Sequence, residues 1–127
     1  MAKVLGQESI DVFVAQNPTT LGYLQNFAED GHERFLGSFI HQSGETEFVC
    51  PALSREQAIR SGITKVHAWR DGEDPIALVR NVLEGWHATG GQIAVDDAMP
   101  SHLLLTLQHH FPDAKFVAGG HLLAQLM

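Results

Sequence analysis

Two adjacent aspartates, Asp96 and Asp97, are of a type and in a position that could support chemistry. They follow the short apolar segment 93–95, and carboxylates at the carboxyl end of a parallel strand can bind Mg²⁺ or share a proton. A strand nevertheless sends adjacent side chains to opposite faces, and either aspartate could help to begin the next helix. We therefore expect a structural role, with a ligand site as the alternative.

The 8 histidines raise the question of a metal site, and their spacing argues against one. His109 and His110 are adjacent, so on a helix their side chains point about 100° apart. The sequence contains no His-Glu-x-x-His and no Cys-x-x-Cys motif. We expect structural or surface roles for the histidines and no metal site built from them.

Three further candidates each lack a feature that their chemistry requires. Gly119-Gly120 could present backbone donors to a phosphate, but two glycines fall short of a phosphate-binding loop. Ser38 lacks the second glycine of a nucleophile elbow. Cys50, the only cysteine, has no neighbour in sequence that would activate a thiol. A turn, a strand and a core position are the simpler interpretations.

Composition limits the class of protein and its partners. The chain has 127 residues, is 44% hydrophobic and carries a formal net charge of -7, which fits one domain and argues against nucleic-acid and anionic-membrane partners. No apolar run has the length of a membrane span or of a signal peptide. A single cysteine suits a reducing compartment, so we expect a cytoplasmic protein.

Alternating apolar patterns, turn residues and helical periods predict the elements that must position these side chains. A hairpin of two strands is followed by alternating strands and helices, the pattern of an α/β domain with a mixed, largely parallel sheet of about six strands and flanking helices. The predicted strands cover residues 11–15, 35–41, 47–50, 63–68, 93–95 and 115–118.

Helix starts are marked by capping residues. Thr19 or Thr20 is expected to cap the helix that follows Asn17-Pro18. Ser54 and Gln57 have the spacing of a capping box. Asp74 followed by Pro75 predicts a third helix start, because proline fits the first helical position without losing a hydrogen bond.

Two motifs give the sequence a family resemblance. Tyr23-Leu24-Gln25-Asn26-Phe27 follows the first strand, and Trp69-Arg70-Asp71-Gly72-Glu73-Asp74-Pro75 follows the fourth. In this order they resemble the N-terminal domain of the creatinase/prolidase family, which includes the Xaa-Pro peptidases and aminopeptidase P. Asn26 stands where the family usually has glycine, and asparagine is the next residue to tolerate a left-handed helix end.

The resemblance implies a non-catalytic N-terminal domain of a metallopeptidase. In the family a C-terminal catalytic domain follows, in which two divalent metal ions, such as manganese, are held by two Asp, one His and two Glu. It hydrolyses the bond before proline in dipeptides or peptide N-termini. The resemblance also implies a homodimer in the full-length protein, with loop residues of this domain at the partner subunit's active-site mouth.

By position, Tyr23, Arg34 and Phe35 are the candidates for that substrate-binding role. Arg34 is a lone cation in a predicted loop and could bind a substrate carboxylate bidentately, although a solvated charge is the simpler interpretation. Tyr23 is either a core residue with its hydroxyl at the rim or part of the same mouth.

The end of the chain, residues 121–127, is apolar almost all round and has no polar tail. We therefore expect this chain to be the N-terminal piece of a longer protein. Two alternatives remain: a creatinase-like amidinohydrolase domain, and a stand-alone α/β module that binds a small ligand through Asp96-Asp97 with a metal or through Gly119-Gly120.

Overall fold

A computed structural model of the chain describes residues 1–25 and 35–126. The strands in this part of the chain are β1 (Val12–Ala15), β2 (Gly37–His41), β3 (Thr46–Pro51), β4 (Val66–Trp69), β5 (Gln92–Val95) and β6 (Lys115–Ala118). They form one sheet in the order β4-β3-β2-β1-β5-β6.

Pairing within the sheet is mixed, as the sequence predicts. β2 lies antiparallel to both β1 and β3, whereas β3 with β4, β1 with β5 and β5 with β6 are parallel. All four residues of the central strand β1 are buried, because helices cover both faces of the sheet. The predicted six-stranded α/β fold is confirmed.

The described residues form six α-helices, which lie on the two faces of this sheet. They are α1 (Ala2–Gln7), α2 (Pro18–Gln25), α3 (Arg55–Arg60), α4 (Pro75–Gly85), α5 (Ser101–His110) and α6 (Gly120–Leu126). Buried residues of α4 and α5 pack with Val12 and Val14 of β1, whereas those of α1, α2, α3 and α6 pack with Phe13 and Ala15. Within residues 1–25 and 35–126, no helix is long and apolar enough to cross a membrane.

Of the three helix caps predicted from the sequence, the structure confirms one. Asp74 caps α4, with its Oδ1 accepting the N–H of Ile76 at 3.0 Å and Pro75 at the start of the helix. The capping box at Ser54 is wrong: a 3₁₀ turn (Ala52–Ser54) precedes α3, so Ser54 is already helical (φ -92°, ψ -5°) and makes no side-chain capping bond. A capping side chain needs an extended backbone to reach the next turn.

The start of α2 also differs from the expectation that Thr19 or Thr20 caps it. The side-chain oxygen of Asn17 accepts the N–H of Thr19 at 2.9 Å, and the carbonyl of Asn17 accepts the N–H of Leu21. Asn17 is therefore the cap, and Pro18 is the first helical residue. This shift of the helix start leaves the hydroxyl of Thr20 free for a different partner.

Candidate functional site

Asp96 lies at the carboxyl end of β5, beside the end of the parallel strand β1, and is only 3% exposed. Its Oδ2 accepts the backbone N–H groups of Gln16 at 2.6 Å and Asn17 at 2.9 Å, and its Oδ1 accepts the hydroxyl of Thr20 at 2.8 Å. Charged acceptors make the stronger hydrogen bonds, and carboxylates are favoured near helix N-termini. The Asp96 carboxylate therefore fixes the turn from β1 into α2.

Asp97 performs a separate structural role on an exposed part of the same edge. Its Oδ1 accepts the N–H of Gly120 at 2.9 Å, at the start of α6, while the N–H of Gly119 donates to the carbonyl of Val95 at 2.7 Å. Both glycine donors already have acceptors within the chain, so neither is available to a phosphate. This geometry agrees with the structural roles expected for Asp96-Asp97 and for Gly119-Gly120.

A cavity of about 150 Å³ opens beside these aspartates, between α5 and β6. Its wall is mainly apolar, with Asp97 and Gln108 among its polar members; the apolar part includes Val95, Met99, Leu104 and Phe116. Within the described ranges, no three or more His, Cys, Asp or Glu side chains are grouped so as to hold a metal ion. Asp96 and Asp97 are therefore not joined by a third described side chain of these types that could complete a metal site, as the ligand-binding alternative would need.

Tyr23, on α2, is accessible at the surface. It is 56% exposed, and its hydroxyl donates to the carbonyl of Leu126 at 3.3 Å. A small pocket of about 150 Å³ lies beside the ring, lined by Thr19, Thr20 and Leu123. This exposure rules out the core position that the sequence leaves open for Tyr23; its place in a substrate-binding mouth stays a prediction.

Phe35 is buried rather than exposed. It is 5% exposed, and its ring stacks on Phe39 with centroids 6.2 Å apart. Its carbonyl accepts the indole N–H of Trp69 at 3.1 Å. A ring in this position supports the start of β2. Arg34, Asn26 and Phe27 lie outside the described residues.

The other chemically suggestive residues have structural surroundings. His67 lies 2.7 Å from the carboxylate of Glu47 on the neighbouring strand, and His41 stacks on Trp86 with centroids 5.0 Å apart. Cys50 is fully buried. Ser38 is buried as well, and its hydroxyl has no hydrogen-bond partner among the residues described.

Sequence reasoning missed that Gln16, Asn17 and Thr20 converge on Asp96. These partners are 76 to 80 residues from Asp96 in sequence, so no local pattern joins them. One general rule could have brought these residues together: side chains at the carboxyl ends of adjacent parallel strands, here β1 and β5, lie at the same edge of the sheet.

Comparison with known proteins places this fold in a family. The family model of the creatinase/prolidase N-terminal domain matches residues 1–126. A candidate dipeptidase of Bacillus subtilis (strain 168), YkvY, is 31% identical over 105 residues, which cover 81% of this chain and 29% of YkvY. The match thus covers most of the present chain but less than a third of YkvY.

Solved structures show the same relationship. A dipeptidase of Pyrococcus horikoshii OT3 superposes with a TM-score of 0.87 at 25% identity, covering 98% of this chain and 34% of the dipeptidase. The creatinase/prolidase N-terminal domain of an X-Pro dipeptidase from Streptococcus pyogenes superposes with a TM-score of 0.85 at 25% identity, covering 99% and 94% of the two chains.

The chain thus spans about a third of the length of YkvY and of the Pyrococcus horikoshii dipeptidase, and nearly the whole of the isolated Streptococcus pyogenes domain. The resemblance carried by the Tyr23 and Trp69 motifs is confirmed. This chain belongs to the creatinase/prolidase N-terminal domain family and has the fold of the N-terminal domain of Xaa-Pro dipeptidases.

Proposed function

We propose that this domain is the non-catalytic N-terminal part of a cytoplasmic Xaa-Pro dipeptidase or aminopeptidase, a metal-dependent hydrolase. In this role it forms dimer contacts and contributes part of the substrate pocket. The observation that carries the proposal is the agreement over almost the full length of both chains with the N-terminal domain of a Streptococcus pyogenes X-Pro dipeptidase. The family match over residues 1–126 supports it independently.

The proposed contribution to the pocket comes from α2 and the residues that follow it. Tyr23 offers a hydroxyl and a ring face at the surface, since it is 56% exposed. Arg34 would bind the carboxylate of a short peptide, for which a planar guanidinium gives two parallel hydrogen bonds. Phe35 would hold the chain directly after Arg34 through its buried ring and its hydrogen bond to Trp69.

The proposed metal ions belong to a separate catalytic domain. The described residues of the present chain bring no set of metal ligands together, so they do not fit a two-metal centre. The family resemblance assigns the two divalent ions to a C-terminal domain, where they would supply an activated water for peptide hydrolysis. The present residues would bind and orient the peptide, not take part in bond cleavage.

Dimer contacts would use apolar side chains that are exposed in the isolated domain. Leu53 is 87% exposed and Leu105 is 63% exposed, and burial of such side chains would favour an interface.

The family resemblance gives the proposed partners: the catalytic domain of the same protein, a second copy of that protein and a proline-containing peptide. No nucleic acid and no membrane enters the proposal, in keeping with the net charge of -7.

The test is the activity of the complete product of the source gene. With Mn²⁺ supplied, we expect hydrolysis of Xaa-Pro dipeptides and little hydrolysis of dipeptides that lack proline. Hydrolysis of creatine in place of Xaa-Pro dipeptides would establish the creatinase-like alternative, which the family name also allows. Absence of both activities would contradict the proposal. Sedimentation of the same protein tests the dimer.

A further inference from the structure

The carboxyl ends of β1 and β5 form a crevice of the kind that binds ligands in many α/β proteins. The two strands are adjacent and parallel, and the helices that follow them, α2 and α5, pack on opposite faces of the sheet. Such a divergence opens a gap at the strand ends. In this chain the gap is filled by the carboxylate of Asp96, which is 3% exposed.

The carboxylate in this crevice determines where α2 begins. It holds the N–H groups of Gln16 and Asn17, which form the turn, and the hydroxyl of Thr20, which lies in the first turn of the helix. The two oxygens are divided between these groups, since Oδ2 accepts both backbone donors and Oδ1 accepts the hydroxyl. The bonds therefore fix both the position of the turn and the rotation of the helix.

Apolar packing restrains α2 through Leu21 and Leu24. Of its eight residues, Thr20 and Leu21 are buried, and Leu24 is partly buried against the same core cluster. Tyr23, one turn farther along, is exposed and reaches Leu126 through its hydroxyl. Because few apolar groups anchor α2, its orientation depends strongly on the hydrogen bonds at its N-terminal end.

We propose that Asp96 is a positioning residue for the substrate-binding contribution of this domain. It acts through α2, setting where Tyr23 lies, and it does not itself contact the substrate. The inference rests on the function proposed above, but its structural part, the control of α2 by Asp96, can be tested on the present chain alone.

The first test compares amide NMR spectra of the 127-residue chain and its Asp96→Asn variant. Asparagine keeps the size of the side chain and could retain these contacts, with its oxygen accepting both backbone donors and its NH₂ donating to the Thr20 hydroxyl, but it lacks the negative charge that strengthens the bonds. We expect changes in the amide signals and faster hydrogen exchange at Asn17, Thr20 and Tyr23, with β3 and β4 unaffected and unfolding still cooperative. Unchanged α2 signals would overturn the proposal.

Two further variants keep this test decisive. Thr20→Val removes only the hydrogen bond to Oδ1, so it should perturb α2 in the same direction and less strongly. Asp97→Asn alters the adjacent, exposed carboxylate, whose bond goes to Gly120 at the start of α6. Because Tyr23 contacts α6 through Leu126, any effect on α2 should be confined to Tyr23 and should leave Asn17 and Thr20 unchanged. If Asp97→Asn perturbs α2 as much as Asp96→Asn does, Asp96 has no specific positioning role.

The second test uses the complete gene product and Xaa-Pro dipeptides. Asp96→Asn should raise KM roughly tenfold while kcat changes less than twofold, because a displaced binding group weakens capture of the substrate. Asp97→Asn should change neither constant by more than about twofold. If Asp96→Asn shifts α2 but leaves KM unchanged, Asp96 has no role in positioning the substrate-binding residues. If Arg34→Ala also leaves KM unchanged, the proposed pocket contribution fails as well.

Discussion

The indole N–H of Trp69 donates a hydrogen bond to the backbone carbonyl of Phe35 at 3.1 Å, across 34 residues of sequence. Phe35 closes the stretch that begins with the Tyr23 motif, and Trp69 opens the second motif of the family resemblance. The bond thus joins the second motif to the residue that lies just before Leu36 and β2. The bond also fixes the residue that directly follows Arg34.

Replacing Trp69 with phenylalanine tests the energetic weight of this connection. The variant removes the donor to a buried carbonyl and reduces the buried ring, so we expect the free energy of unfolding to fall by about 2–3 kcal/mol. Trp86→Phe is the matched control, since Trp86 is half-buried and donates to the exposed carboxylate of Glu45. It should cost less than about 1 kcal/mol. Urea unfolding followed by circular dichroism measures both, and equal losses would contradict this assignment.

Gly119 is predicted to tolerate no side chain. A Cβ there would lie 2.5 Å from the ring of Phe13 and 3.0 Å from the carbonyl of Val95. Because a buried ring and a backbone atom have little room to move, Gly119→Ala should lower the free energy of unfolding by about 2 kcal/mol. Gly120→Ala meets only the exposed carboxylate of Asp97, which can rotate away. Thermal unfolding compares the two variants, and a smaller loss for Gly119→Ala would contradict the geometry.

Ser38→Ala is the one variant in this set that we expect not to lower the free energy of unfolding. Its hydroxyl is fully buried and has no hydrogen-bond partner within the part of the chain that the structure describes. Ser38→Ala should therefore leave the free energy of unfolding within about 0.5 kcal/mol or raise it, since an unsatisfied polar group is removed. Thr20→Val, which deprives Asp96 of a satisfied bond, should lower it by about 1–2 kcal/mol. A large loss in Ser38→Ala, measured by chemical unfolding, would show that the hydroxyl has a partner.

Arg34→Ala in the complete gene product tests the proposed contact with the substrate carboxylate. Loss of a charged hydrogen bond used in binding should raise KM for Xaa-Pro dipeptides by about tenfold or more, with little change in kcat. Arg70→Ala is a suitable control because Arg70 is exposed and its backbone N–H, not its guanidinium, bonds Glu73. Steady-state kinetics of both variants decide the matter. Unchanged constants for Arg34→Ala would remove this residue from the pocket.

Local sequence patterns predict most of this fold because its elements are specified locally. The six strands follow apolar runs bounded by turn residues, and the cap at Asp74 needs only the two residues that follow it. The capping box at Ser54 fails for a local reason as well: the 3₁₀ turn before α3 already places Ser54 in a helical conformation. Competition between two kinds of turn is difficult to resolve from residue types alone.

The roles of Asp96, Thr20 and Phe35 depend on distant residues. Two adjacent aspartates look alike in sequence, yet one is buried on the turn before α2 and the other is exposed at the start of α6. Phe35 follows a predicted loop but is held in the core by Trp69. These differences arise from the packing of strands far apart in the chain, so they become visible only in the folded structure.

The most direct measurement is to read the source gene beyond the codon for Met127. We predict an open reading frame that continues into a second domain carrying the two Asp, one His and two Glu ligands of the family's two-metal site. A frame that continues without this ligand set would leave the fold assignment intact and contradict the peptidase function. A stop codon directly after Met127 would contradict the role as part of a larger enzyme.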